Sequence, residues 1–160
     1  MNDDRRSVLD HVRNRIDWVD ESIRYDKLSD PSLIDIYIDD LEYARGWVYN
    51  ILKDEEASYY NMPGGFAWGP NGFESLSAQE DLKSALKEFD TLIPKVKTFK
   101  EKYSEELSRE YNEDSKEERN KIAVKLRRLM KRYISRIIEN LRPYSLNPPV
   151  KYVEVYESSE

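Results

Sequence analysis

Apolar residues recur at intervals of three and four over four stretches of the chain, the spacing of one face of an α-helix. The first stretch, residues 4–27, carries Val8, Val12, Ile16, Val19 and Ile23 on one side. Asp10, Arg13, Asp17, Asp20 and Arg24 lie on the other, where i,i+3 and i,i+4 neighbours can pair. Asp30-Pro31 then reads as a helix start: Asp accepts from orphan backbone N–H groups, and Pro at the first position forfeits none. A helix over 31–54 follows, with Ile34, Ile38, Leu41, Val48 and Ile51 inward. The short link predicts an antiparallel hairpin.

The pattern breaks over residues 57–76, which hold four of the five glycines and two prolines together with Tyr59, Tyr60, Phe66, Trp68 and Phe73. A loop of that length is uncommon in a compact domain and is often functional. Ser77-Ala78-Gln79-Glu80 has the form of a capping box, so a third helix is expected over 78–111. Its stripe of Leu82, Leu86, Phe89, Ile93, Val96, Tyr103 and Leu107 stays in phase across Pro94, which predicts one kinked helix rather than two. A cap region at Asp114-Ser115 opens a fourth helix over 115–142, and Pro143 stops it. Beyond it, Pro148-Pro149 and the alternating run VKYVEVY read as an extended tail. The expected fold is therefore all-α: a four-helix-bundle-like domain, residues 1–142, made of two hairpins joined by the aromatic loop, with a tail over 143–160.

Composition narrows the chemistry. The 160 residues include no cysteine and one histidine, His11, which removes thiol catalysis and thiolate metal sites and leaves little for zinc. No Walker loop, G-x-G-x-x-G or nucleophile elbow occurs, so neither a cofactor nor a metal is expected. No apolar run is long enough to span a membrane, and the polar start Met1-Asn2-Asp3-Asp4 predicts a cytoplasmic protein. One glutamine, no cysteine and 36% charged residues lean towards a thermophilic source, against which nine asparagines weigh.

Charge is segregated. The formal net charge is −6, yet residues 119–142 hold nine bases against one acid, while residues 1–60 hold 15 acids and eight bases. At about 100° per residue, Lys121, Lys125, Arg128, Arg132 and Arg136 fall within about 80° of one another, opposite an apolar face of Ile122, Leu126, Met130, Ile134, Ile137 and Leu141. That stripe predicts a surface for nucleic acid or for an acidic protein. Alternatively it is a solvated face, neutralised by the acidic first hairpin or by the acidic run at 101–118. Tyr60, Phe66, Trp68 and Phe73 are candidates for stacking on bases or filling a partner's pocket; the plainer reading makes them a lid on the core. A homo-oligomer is also compatible with the sequence.

Two acidic pairs, Asp17/Asp20 and Asp39/Glu42, lie on adjacent expected helices. Their spacing is superficially similar to that of all-α nucleotide pyrophosphohydrolases, a resemblance that implies Mg²⁺ held between facing pairs. Three of the four positions are Asp, whereas those enzymes favour the longer Glu. Arg6 and His11 stand at the R-x4-H spacing of a family of small helical RNases, but on the first helix rather than a late one. The leading expectation is a small non-enzymatic binding or adaptor protein. A metal-dependent hydrolase is the alternative.

Overall fold

In a computed structural model the described residues are 1–30, 32–60 and 70–146, the side chains of 60 and 70–73 excepted. Every regular element among them is helical: α1 (Asp3–Asp26), α2 (Leu33–Tyr60), α3 (Pro70–Lys102), α4 (Ser104–Ser108), α5 (Glu113–Leu141) and a closing 3-10 turn, Arg142–Tyr144. None is long and apolar enough to cross a membrane. The four long helices pack in a ring, each against two neighbours: α1 on α2, α2 on α3, α3 on α5, and α5 back on α1. Side chains from all four meet in one core, including Val12, Ile16, Leu41, Val48, Phe89, Leu126 and Ile137.

Local chemistry explains most of the ends. The Asn2 side chain caps α1 by accepting from the Arg5 amide at 2.9 Å. Helix α2 begins at Leu33 rather than at 31, and Asp30 orders the turn before it, its carboxylate accepting from the Ser32 amide at 2.9 Å and from the Ser32 hydroxyl. Asn112 rather than Asp114 caps α5, in a reciprocal box with Ser115. Pro94 leaves α3 continuous, as the unbroken stripe requires.

Three expectations need correction. Both ends of the loop expected over 57–76 are helical, because α2 runs on to Tyr60 and α3 already starts at Pro70; residues 61–69 lie outside the described residues. The added turns are held by side chains that the periodicity did not mark: buried Ser75 donates to Glu55 at 3.1 Å, and Gln79 donates to Ser75 at 3.3 Å. Ser77 is therefore not a cap. The third helix also stops at Lys102 instead of running to 111; Tyr103 leaves helical geometry and the short α4 follows. Finally, the first residues of the expected tail pack on the bundle. Tyr144 is buried with its hydroxyl donating to Asp81, while the Ser145 hydroxyl and the Leu146 amide donate to Asp10 at 2.7 and 3.0 Å. The run VKYVEVY lies outside the described residues.

The end of the bundle where α1 meets α2 and α4 meets α5 is organised by one side chain. Arg119, 1% exposed, donates from Nη1 to the Leu28 carbonyl at 2.6 Å and from Nη2 to the carbonyls of Leu107 and Arg109 at 2.9 and 2.5 Å. Leu28 and its neighbour Lys27 both adopt positive φ, 55° and 49°, a left-handed geometry costing non-glycine residues about 1–2 kcal/mol each. The turn is held by full burial of the Leu28 side chain and by the guanidinium on its carbonyl.

Two outcomes follow for stability. Replacing Arg119 with Met strands three carbonyls, and chemical denaturation of Arg119→Met should show a loss of roughly 3–5 kcal/mol. A loss under about 1 kcal/mol would mean the guanidinium is not the tie described. Hydrogen bonds from the Ser32 amide and hydroxyl hold the exposed Asp30 carboxyl below its ordinary pKa of 3.8. A depressed carboxylate contributes stability that is fully present above its unfolded pKa and is lost as pH falls through the folded value. Asp30→Asn keeps an accepting oxygen but does not titrate, so melting curves should show wild type losing ground to Asp30→Asn only as pH drops below 3.8. A pH-independent difference would contradict the role of Asp30 in this turn.

Candidate functional site

Helix α5 turns Ile122, Leu126, Met130, Ile134 and Ile137 into the core. At about 100° per residue the opposite side must carry its charges. All five residues of the expected stripe, Lys121, Lys125, Arg128, Arg132 and Arg136, are exposed, and Lys131 joins them. One face of a single rigid helix thus brings them together over an axial span of about 22 Å.

Neutralisation is confined to the ends and flank. Lys121 reaches Glu117 one turn earlier at 3.8 Å, and Arg136 reaches Glu88 of α3 at 3.7 Å. On the α1 side Arg127, outside the stripe, pairs with Asp20 at 3.3 Å. Lys125 sits 5.5 Å from the centre of the Tyr103 ring, a cation–π contact that leaves its charge in place. Among the described residues no ion pair reaches Lys125, Arg128, Lys131 or Arg132. Towards the start of α5 the groove between Tyr103 and the stripe carries Glu106, Asp114, Glu117 and Glu118, so the cationic surface begins at Lys125. Val124, 49% exposed, is an apolar spot between Lys121 and Arg128.

The remaining candidates are dispersed or lie elsewhere. Phe66 and Trp68, and the side chains of Tyr60 and Phe73, are outside the described residues. The two acidic pairs engage opposite neighbours: Asp20 pairs with Arg127 on α5, whereas Glu42 pairs with Lys97 on α3 at 2.8 Å. Asp17 is exposed as a residue, but neighbouring side chains partly displace water from its carboxyl. That desolvation raises its pKa, with Glu21 and Asp20 adding to the rise and Arg13 opposing it. Among the described residues no group of three or more His, Asp or Glu side chains is arranged to hold a metal ion. Arg6 binds Glu74 at 3.1 Å, while His11 is exposed and meets the Tyr43 ring edge-on at 6.3 Å, so the R-x4-H residues are not joined.

Periodicity counted Arg119, Arg127 and Lys131 as charges without placing them. It also passed over an aromatic surface on α1 and α2, where Trp18, Tyr43, Trp47 and Tyr49 are 37–48% exposed. A signal was available there, because Tyr43, Trp47 and Tyr49 fall off the inward stripe of α2. No protein-family model, curated protein or solved structure matches the chain.

The stripe's self-repulsion is measurable. Arg132 has like charges at both i−4 and i+4, and each such pair costs roughly 0.2–0.5 kcal/mol. Arg132→Gln should therefore raise stability by about 0.4–1 kcal/mol at low salt, with the gain fading in high salt. Arg127→Gln, which breaks the pair with Asp20, should change stability in the opposite direction. Equal signs for the two variants in salt-dependent melts would refute this division of α5.

Proposed function

We propose that the protein is a non-enzymatic binding protein whose α5 face docks on the phosphate backbone of a nucleic acid. The observation that carries this reading is the run Lys125, Arg128, Lys131 and Arg132: four exposed cations on one helix face without an acidic partner among the described residues. Repulsion along the helix opposes folding, so stability does not account for the run. Binding a polyanion does, since each neutralised phosphate releases condensed counterions. The net charge of −6 is not an obstacle, because at physiological salt charges beyond about 8 Å are largely screened.

An acidic protein surface is the second reading, favoured by Val124. An exposed apolar side chain within the cationic face adds contact against a protein but little against phosphates. The hydrolase alternative is not proposed, because its two acidic pairs face different neighbours.

Fluorescence anisotropy with labelled mixed-sequence duplex DNA over a salt series tests the first reading. Four phosphate contacts give a log–log salt slope near about −3.6. The triple variant Lys125→Ala, Arg128→Ala, Arg132→Ala should flatten it to about −0.9, weaken binding alike for all sequences, and retain helicity. Absence of wild-type binding at the lowest salt would overturn the reading.

A further inference from the structure

We propose that the outer face of α2 is a self-association surface, on which a second copy of this chain packs its own α2 antiparallel, crossing at Gly46. This inference is independent of the nucleic-acid reading, because α5 plays no part in it. At the middle of α2 the exposed side presents Tyr43, Gly46, Trp47 and Tyr49, with Asp39 one end outward and Lys53 the other. Arg15 lies over the Tyr43 ring and Arg45 and Lys53 over that of Tyr49, yet these aromatics stay 37–45% exposed with Trp47, a partly aromatic face with a dent at its centre. A Cβ built at Gly46 meets nothing within 4 Å, so nothing in this chain requires glycine there. Glycine in an exposed helix interior weakens the helix relative to alanine, yet it lets a second backbone approach closely.

The occupant follows from the register of the charges. In an antiparallel pair crossing at Gly46, a residue k places before the crossing faces the residue k places after it on the other chain. Asp39 and Lys53 are each seven places away, about 10.5 Å along the axis, and each lies within about 20° of Gly46 around it. Each Asp39 therefore faces a Lys53 of the partner copy, twice over by the two-fold symmetry. Tyr43 and Tyr49, three places either side, flank the crossing in the same way. Such self-complementarity is what an isologous interface demands, and the register sets no like charge opposite another: Glu42 falls across from Asn50, and Ile36 from Glu56. Within one chain Lys53 makes an i,i+3 contact to Glu56 at 3.7 Å and lies 5.3 Å from the centre of the Tyr49 ring, and half of its side chain stays exposed to a partner.

Sedimentation velocity over a concentration series tests this with the full chain. Wild type should show a reversible monomer–dimer equilibrium. Gly46→Leu should be monomeric while its melting temperature stays equal or rises, since the added side chain has room in the single chain and none at the crossing. Asp39→Lys sets lysine against lysine and Lys53→Asp sets aspartate against aspartate, so each should be monomeric alone. Mixed in equal amounts, the two carry opposite charges at both contacts and should form a heterodimer with affinity restored at least about tenfold over either alone. A wild type that stays monomeric throughout, a dimer that survives Gly46→Leu, or two charge variants that fail to associate on mixing would each overturn the proposal.

Discussion

A single buried cation sets the geometry of α5. The Arg119 guanidinium sits where three connections converge, bonded to carbonyls from the α1–α2 turn, from α4 and from the α4–α5 link. Carbonyls at the ends of helices carry the negative pole of the backbone dipoles, which is the environment that makes a buried positive charge tolerable without a carboxylate. Because the donors are fixed in a planar fork, the contact dictates rotation as well as position. Arg119 directed inwards leaves Lys121, Lys125, Arg128 and Arg132 on the far side of the helix. The same residue type is therefore used in two opposed ways on one element: one arginine desolvated as a tie, and the others held in water.

The opposite end of the bundle is fastened differently. There the partners are side chains: Arg5 to Glu55 at 3.0 Å and Ser58 at 2.8 Å, Ser75 to Glu55, and Arg13 to Ser145 at 2.8 Å. Glu55, Asp10 and Arg13 are buried, and burial of a charge is tolerated only with such partners. Burial together with the bond to Asp81 pushes the Tyr144 hydroxyl well above its ordinary pKa, so the neutral donor persists at any physiological pH. These bonds join the first helix, the α2–α3 ends and the chain after α5. That explains why the helices extend past the limits set by apolar spacing.

Apolar periodicity therefore made the core legible and the ends illegible. Val12, Ile16, Leu41, Val48, Phe89 and Leu126 are buried as their spacing implies, and the stripe crossing Pro94 marked a continuous helix. What spacing could not reveal is a polar side chain turned inwards, since Arg119, Glu55 and Ser75 look in sequence like any solvated residue. The break at Tyr103 was hidden for the reverse reason: Tyr103 and Leu107 continue the apolar rhythm although the backbone leaves helical geometry at Tyr103 itself. The cationic stripe was readable because it depends on helical phase alone. Which of its charges lack acids depended on α1 and α3, and so on the fold.

The ring order of the helices gives the two proposed surfaces a common consequence. Helix α5 contacts α1 and α3, and α2 contacts the same two, so α2 and α5 stand diagonally across the bundle. A second copy seated on α2 leaves both α5 faces uncovered and directs them to opposite outer sides of the pair. Each face alone offers few phosphate contacts and hence weak, salt-sensitive attachment. Two faces on one rigid particle make the second contact intramolecular for any polyanion long enough to reach both, and effective concentration then multiplies affinity without a new interaction. A strand too short to pass round the bundle gains nothing. On the two readings together, length of the polyanion rather than its sequence is the property such a pair would select.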